Sequence, residues 1–248
     1  MSRWFLVVLI VPLLLGSGCA MNKAEKNTYL YHYQMGQSFY AENNFTGALQ
    51  EFTEAEKISA KEPELLNLLG LAYFRKGLFE LAEKKYLRAL KLKENYSEAR
   101  NNLGVDYLEM KRWDAAIAQF KQVQEDIFYA DQGSAAINLG LAYFGKGDYD
   151  QALAELRGSV SKNPSDPRAR LNLGRVYFAL NRTELAIEQY KKAVSLNSSY
   201  AAAYYHLGLA YMKQNESREA REAFREVVKL APDSENGQLS REYLDMLK

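Results

Sequence analysis

Apolar residues in this chain are spaced for helices, and the spacing comes in two alternating forms. Leu66, Leu69, Gly70 and Tyr73, and again Ala136, Leu139, Gly140 and Tyr143, fall at i, i+3, i+4 and i+7. That series lays one buried stripe along a helix with 3.6 residues per turn. A second stripe follows each first one, as in Ala82, Tyr86 and Ala89 or Ala186, Tyr190 and Ala193. Polar and charged residues fill the remaining faces. The pattern predicts amphipathic helices in pairs, each helix burying one face against its partner.

The pairs recur at a fixed interval. Gly36, Gly70, Gly104, Gly140, Gly174 and Gly208 are separated by 34, 34, 36, 34 and 34 residues. Three residues after each glycine stands an aromatic: Phe39, Tyr73, Tyr107, Tyr143, Tyr177 and Tyr211. Twelve residues after it stands an alanine: Ala48, Ala82, Ala116, Ala152, Ala186 and Ala220. Glycine inside a helix costs about 1 kcal/mol against alanine, so six in register imply close approach, with glycine and alanine facing each other across the helix pair. Seven residues after each glycine come Asn43, Gly77, Lys111, Gly147, Asn181 and Asn215. Asparagine and glycine suit the left-handed residue that ends a helix. Lys111 does not, and with Trp113 beside it the third turn is expected to differ slightly. This Leu-Gly-x-x-Tyr period resembles the tetratricopeptide repeat. The resemblance implies an all-α, right-handed superhelical solenoid of six repeats over residues 29–234. The stripe of Leu239, Tyr243, Leu244 and Leu247 predicts a capping helix over 235–248. Thirteen helices and no sheet are expected.

The N-terminus reads differently. Arg3 precedes a twelve-residue apolar run from Trp4 to Leu15, followed by Gly16, Ser17, Gly18 and Cys19. The run is short for a membrane-spanning helix, which needs about 20 residues, and fits an export signal over 1–18. A cysteine directly after small residues resembles the bacterial lipobox, with an incidental thiol as the alternative. The resemblance implies cleavage before Cys19, its acylation by diacylglycerol and palmitate, and, with Ala20 following, a place at the periplasmic face of the outer membrane. Residues 19–28 would form a lipidated polar tether.

Composition narrows the partners. The chain has 48% hydrophobic residues and a net charge of +1. Without residues 1–18 it loses only Arg3 among charged residues, leaving 31 basic and 31 acidic side chains. No basic stripe is present, so nucleic acid is not an expected partner. Runs such as Glu83-Lys84-Lys85 read as solvated helix faces. The two histidines, His32 and His206, lie in the first and last repeats, and Cys19 is the only cysteine. No metal-ligand spacing, phosphate loop or nucleophile–base constellation appears. The reading is non-enzymatic, without cofactor, metal or small-molecule substrate.

A protein partner fits better. Counting from each glycine, the next residue and the one three further should line the inner face of the solenoid: Leu71 with Phe74, Val105 with Leu108, Leu141 with Phe144, Arg175 with Phe178, and Leu209 with Met212. Nearly all are apolar, which predicts a continuous channel for a partner segment; the alternative is that curvature buries them between repeats. Asn102, Asn138 and Asn172 stand two places before their glycines. They form either an amide ladder for an extended peptide backbone or bridges between neighbouring helices.

The third interval is two residues longer than the rest, the excess lying in Glu125 to Gln132. Its simplest reading is a slack turn with its aromatics tucked under the next helix. The block Ala99-Arg100-Asn101-Asn102-Leu103-Gly104, Lys111-Arg112-Trp113-Asp114-Ala115-Ala116, Phe128-Tyr129 and Asn138-Leu139-Gly140-Leu141 resembles the middle of the type IV pilus pilotin lipoproteins (the PilF, PilW and Tgl family). That resemblance implies a lipoprotein assisting localisation or multimerisation of the outer-membrane pilus secretin. A general outer-membrane adaptor of the barrel-assembly or protease-adaptor type is the alternative.

Overall fold

The computed structural model describes residues 21–247, so the signal segment 1–18 and Cys19 lie outside the described residues. Among the described residues there are thirteen α-helices and no strand. They form six consecutive pairs: α1 (Lys23–Ala41) with α2 (Phe45–Ile58), α3 (Pro63–Arg75) with α4 (Phe79–Leu92), α5 (Ser97–Glu109) with α6 (Trp113–Glu125), α7 (Gln132–Lys146) with α8 (Tyr149–Lys162), α9 (Pro167–Ala179) with α10 (Thr183–Leu196), and α11 (Ala201–Lys213) with α12 (Ser217–Leu230). The last helix, α13 (Glu235–Met246), closes the array. Each helix packs on its neighbours in sequence, and the first helices of successive repeats from the second onward also touch one another. Those first helices therefore line the inside of the curve, and the chain is a superhelical solenoid.

The glycines make room for something larger than alanine. A Cβ on Gly36, Gly70, Gly104, Gly140, Gly174 or Gly208 would lie 2.4–2.6 Å from the side chain of Phe52, Tyr86, Phe120, Leu156, Tyr190 or Phe224 respectively. Each of these comes sixteen residues after its glycine, on the second helix of the same repeat, and all six are fully buried. The expected glycine–alanine facing is thus corrected. The glycine receives a large, fully buried side chain of the opposite helix, and the fully buried alanines twelve residues on pack beside it. Burying one such side chain contributes about 1.5–3 kcal/mol, which offsets the helix penalty of the glycine.

All six turns are built alike, the third included. Asn43, Gly77, Lys111, Gly147, Asn181 and Asn215 have φ of 60°, 71°, 56°, 86°, 62° and 60°. The Lys111 amide donates to the Leu108 carbonyl at 3.0 Å and the Arg112 amide to the Tyr107 carbonyl at 2.8 Å. Gly77 and Leu78 make the same two bonds to Phe74 and Tyr73 at 2.8 and 3.0 Å. The expectation that this turn would differ is overturned, because the docked helix pair fixes its geometry and the lysine accepts a strained φ. Trp113 contributes elsewhere: its ring lies where a Cβ on Gly145 would be, 2.6 Å away, so the next repeat approaches closely there.

Two other expectations change. Helix α1 begins at Lys23, so most of the predicted tether is helical; Asn22 accepts from the Glu25 amide at 2.9 Å while the Glu25 carboxylate accepts from the Asn22 amide at 3.0 Å, a reciprocal cap. The run Glu83-Lys84-Lys85 is more than a solvated face. Lys85 pairs with Glu56 of the preceding repeat at 2.6 Å, while Glu83 takes Arg112 and the Tyr107 hydroxyl of the following one, both at 2.9 Å. At the C-terminal end Tyr243 stacks on Phe224 with centroids 5.0 Å apart. Tyr243, Leu244 and Leu247 pack on the last repeat as a cap.

Candidate functional site

The ten inner-face positions are all half-buried. Leu71, Phe74, Val105, Leu108, Leu141, Phe144, Phe178, Leu209 and Met212 rest against the core. The predicted channel is therefore shallower than the sequence pattern implied, because neighbouring first helices and their turns crowd each side chain. Phe74 leans on Phe79 and Phe144 on Tyr149, each with ring centroids 5.6 Å apart across the turn. Cations cover two of the rings: the Arg175 guanidinium sits 5.0 Å above Phe144, and Lys213 Nζ 4.5 Å above Phe178. The inner face is a continuous, partly buried apolar line with cationic lids over its C-terminal half.

The three asparagines do not act as one ladder. Asn102 Nδ2 donates to Asn67 Oδ1 at 3.0 Å, bridging repeats two and three. Asn67 is itself buried and donates to Glu98 Oε1 at 3.1 Å. Asn172 donates to the Arg168 carbonyl at 3.0 Å and accepts from Arg175 Nη1 at 3.0 Å. Among the described residues Asn138 is the one of the three whose side chain makes no hydrogen bond within the chain. His206 takes the equivalent place in repeat six, stacked on Tyr190 at 5.7 Å and edge-on to Tyr205 at 5.7 Å. Burial first, then the nearby Arg175 charge, pushes its pKa down to about 4, so the ring is neutral. His32 instead contacts Glu51 at 2.7 Å in the first repeat.

Several exposed features escaped the sequence reading. The longer third connection is not slack, and of its two aromatics it leaves Phe128 untucked. Ser97 donates to Asp126 Oδ2 at 2.5 Å, Asp126 Oδ1 accepts from the Phe128 amide at 3.0 Å, and Gln132 Nε2 donates to the Val123 carbonyl at 3.2 Å. This polar clasp lifts Ile127 and Phe128 outward, 80% and 90% exposed, and half-buries Tyr129. A polar cleft of about 650 Å³ between Glu94, Arg100, Gln122 and Asp126 adjoins it. On the second helices, Leu81, Leu87 and Leu92 of α4 and Leu185 and Leu196 of α10 are also exposed. None of these five leucines was singled out, since helical periodicity identifies a buried face and not an apolar residue on the opposite one.

Among the described residues no helix is long and apolar enough to cross a membrane. Family models described as TPR repeat or tetratricopeptide repeat match residues 36–77 and 174–215, 61–126, 143–188 and 201–234. A curated relative, BBSome complex member BBS4 of Bos taurus, is 26% identical over 136 residues, which span 55% of this chain and only 26% of that protein. Among solved structures, PilF of Pseudomonas aeruginosa superposes with a TM-score of 0.71 at 18% identity, covering 89% of this chain and 99% of PilF. PilW, described as a widely conserved type IV pilus biogenesis factor, superposes at 0.77 with 20% identity, covering 88% of this chain and 99% of PilW. At these identities the likeness is one of fold. The repeat matches run through both halves of the chain, and each matched unit has the helix pair, left-handed turn and glycine socket described above: the chain belongs to the tetratricopeptide repeat family.

Proposed function

We propose that this chain is a type IV pilus biogenesis lipoprotein that holds an extended, partly apolar segment of the outer-membrane pilus secretin and assists its localisation or ring assembly. The observation that carries this reading is the match in extent. Six repeats and a cap, with no further domain among the described residues, correspond to nearly the whole of PilF and PilW. The distinctive block over 97–144 supports the same assignment. Cys19 anchors the chain by its lipid, and the short stretch before Lys23 keeps the first repeat against the membrane surface.

The work is binding. Completing the burial of two half-buried side chains such as Phe74 and Phe144 contributes on the order of 1–3 kcal/mol, before the cost of ordering the bound segment. That suits a transient grip that releases its subunit. Deleting the gene is expected to abolish surface pili and leave secretin monomeric, and Phe74→Asp with Phe144→Asp to reproduce the defect in a folded protein. Secretin multimers forming normally in the deletion strain would contradict the assignment and favour a general adaptor. Intact-mass analysis is expected to show acylated Cys19 as the first residue.

A further inference from the structure

Among the second to sixth repeats, Arg175 is the exception on the inner face. Leu71, Val105, Leu141 and Leu209 occupy the same register in other repeats. Its guanidinium is half-buried over Phe144 and spends one N–H on Asn172 Oδ1. Arg88, Arg112 and Arg168 each meet a carboxylate at 2.6–2.9 Å. Among the described residues no carboxylate pairs with Arg175, and the groups acting on its charge are the tyrosines Tyr190 and Tyr200. Holding an unpaired cation out of water is costly, and burial pulls the Arg175 pKa below its ordinary value. The neighbouring Tyr190 hydroxyl is fully buried and also lacks a partner. His206, being neutral, does not compete for an anion, and Asn138 stands one repeat earlier in the register of Asn172 with its amide uncommitted. Polar capacity is thus left open at one place on an otherwise apolar line.

We infer that the inner face at the fifth repeat takes the carboxylate of an Asp or Glu side chain carried within an apolar extended segment, bound by the free N–H groups of Arg175. This rests on the groove reading above and specifies its partner's chemistry. Guanidinium matches carboxylate in charge and in planar two-point geometry. An internal acidic residue fits better than a chain terminus because the apolar line continues on both sides. Leu141 and Phe144 precede Arg175, while Leu209 and Met212 follow it on the next first helix, and a terminal carboxylate would leave one side uncovered.

The test is a pooled library of end-blocked dodecapeptides with randomised apolar positions and a central Glu or Gln, pulled down on the full chain and ranked by anisotropy. Glu peptides are expected to bind about tenfold more tightly than their Gln twins. Arg175→Leu, which installs the side chain found in three sibling repeats, should erase that difference while retaining the Gln peptides and the melting temperature. Phe144→Asp should weaken both sets. Phe144-dependent binding with no preference for Glu, or a preference that survives Arg175→Leu, would overturn the carboxylate inference and leave the groove reading standing. Selective capture of free C-terminal carboxylates from an unblocked control pool would overturn the internal-residue assignment. No Phe144-dependent binding at all would overturn the groove reading and this inference together.

Discussion

The third and fifth repeats depart from their siblings in opposite ways. The third departs in its core, its turn and its connecting loop, away from the inner face. Asp106 occupies a core position filled by Ala72, Ala142, Val176 and Ala210 in other repeats; it is fully buried, and neither carboxylate oxygen has a hydrogen-bond partner. Lys111 takes the left-handed turn position, and Phe128 stands in solvent. The fifth repeat has Val176 at the core position of Asp106 and keeps an asparagine turn, and on the inner face it departs at Arg175. An irregularity in the core or a turn costs stability locally, whereas one on the concave surface leaves binding capacity unspent. The solenoid tolerates the first kind because each repeat leans only on its neighbours.

The largest expected effect tests what the two repeats share. Gly104→Leu and Gly174→Leu place a side chain where Phe120 and Tyr190 already sit, 2.6 and 2.5 Å from the new Cβ. Each should destabilise by about 1–3 kcal/mol through overpacking, read as a lowered melting temperature. A loss in one repeat alone would break the comparison at its base.

Asp106 sharpens it. Burial first, then the Glu83 and Glu80 charges, raise its pKa to about 7 from an ordinary 3.8. Below about pH 4 both folded and unfolded chains hold the proton, and the group adds no ionisation penalty. Between about 4 and 7 the folded chain holds a proton that the unfolded chain has lost, so stability falls as pH rises; above 7 the penalty is complete. Asp106→Ala should therefore stabilise by about 1–3 kcal/mol at pH 8 and by little at pH 4. Equal gains at both pH values would show that the charge is not the cause.

The smallest effect is expected at the turn. Lys111→Gly relieves a left-handed lysine and should raise stability by about 1 kcal/mol, whereas Asn181→Gly in the fifth repeat should change it by only a few tenths. Denaturant midpoints resolve the difference.

These residues also show which parts of the molecule could be read before folding. The period of the glycines, aromatics and alanines carried the six helix pairs, because it is a local pattern repeated six times, and the single stripe of Leu239, Tyr243, Leu244 and Leu247 carried the cap. The glycine sockets were misassigned because the residue that fills them is on another helix, and its register appears only when the pair docks. Lys111 was misread because side-chain preference at a turn is worth about a kilocalorie per mole, and two packed helices outweigh it. The exposure of Phe128 depends on Ser97 reaching Asp126 across 29 residues, which no local window contains. Arg175 was placed on the inner face by register alone, but its lack of a carboxylate partner is a three-dimensional fact: Asp166, the nearest acid preceding it in the sequence, is taken by Arg168 at 2.8 Å.

In the proposed function the inner face, and not the outer helices or the lifted loop, holds the partner. Site-specific photo-crosslinking in living cells tests it most directly, with a photoreactive phenylalanine analogue placed in turn at Phe144, at Leu87 on α4 and at Phe128. Phe144 is expected to yield a discrete adduct whose mass spectrum identifies a secretin segment carrying an acidic residue, with little adduct from the other two. Adducts forming at Leu87 or Phe128 and not at Phe144 would contradict the claim.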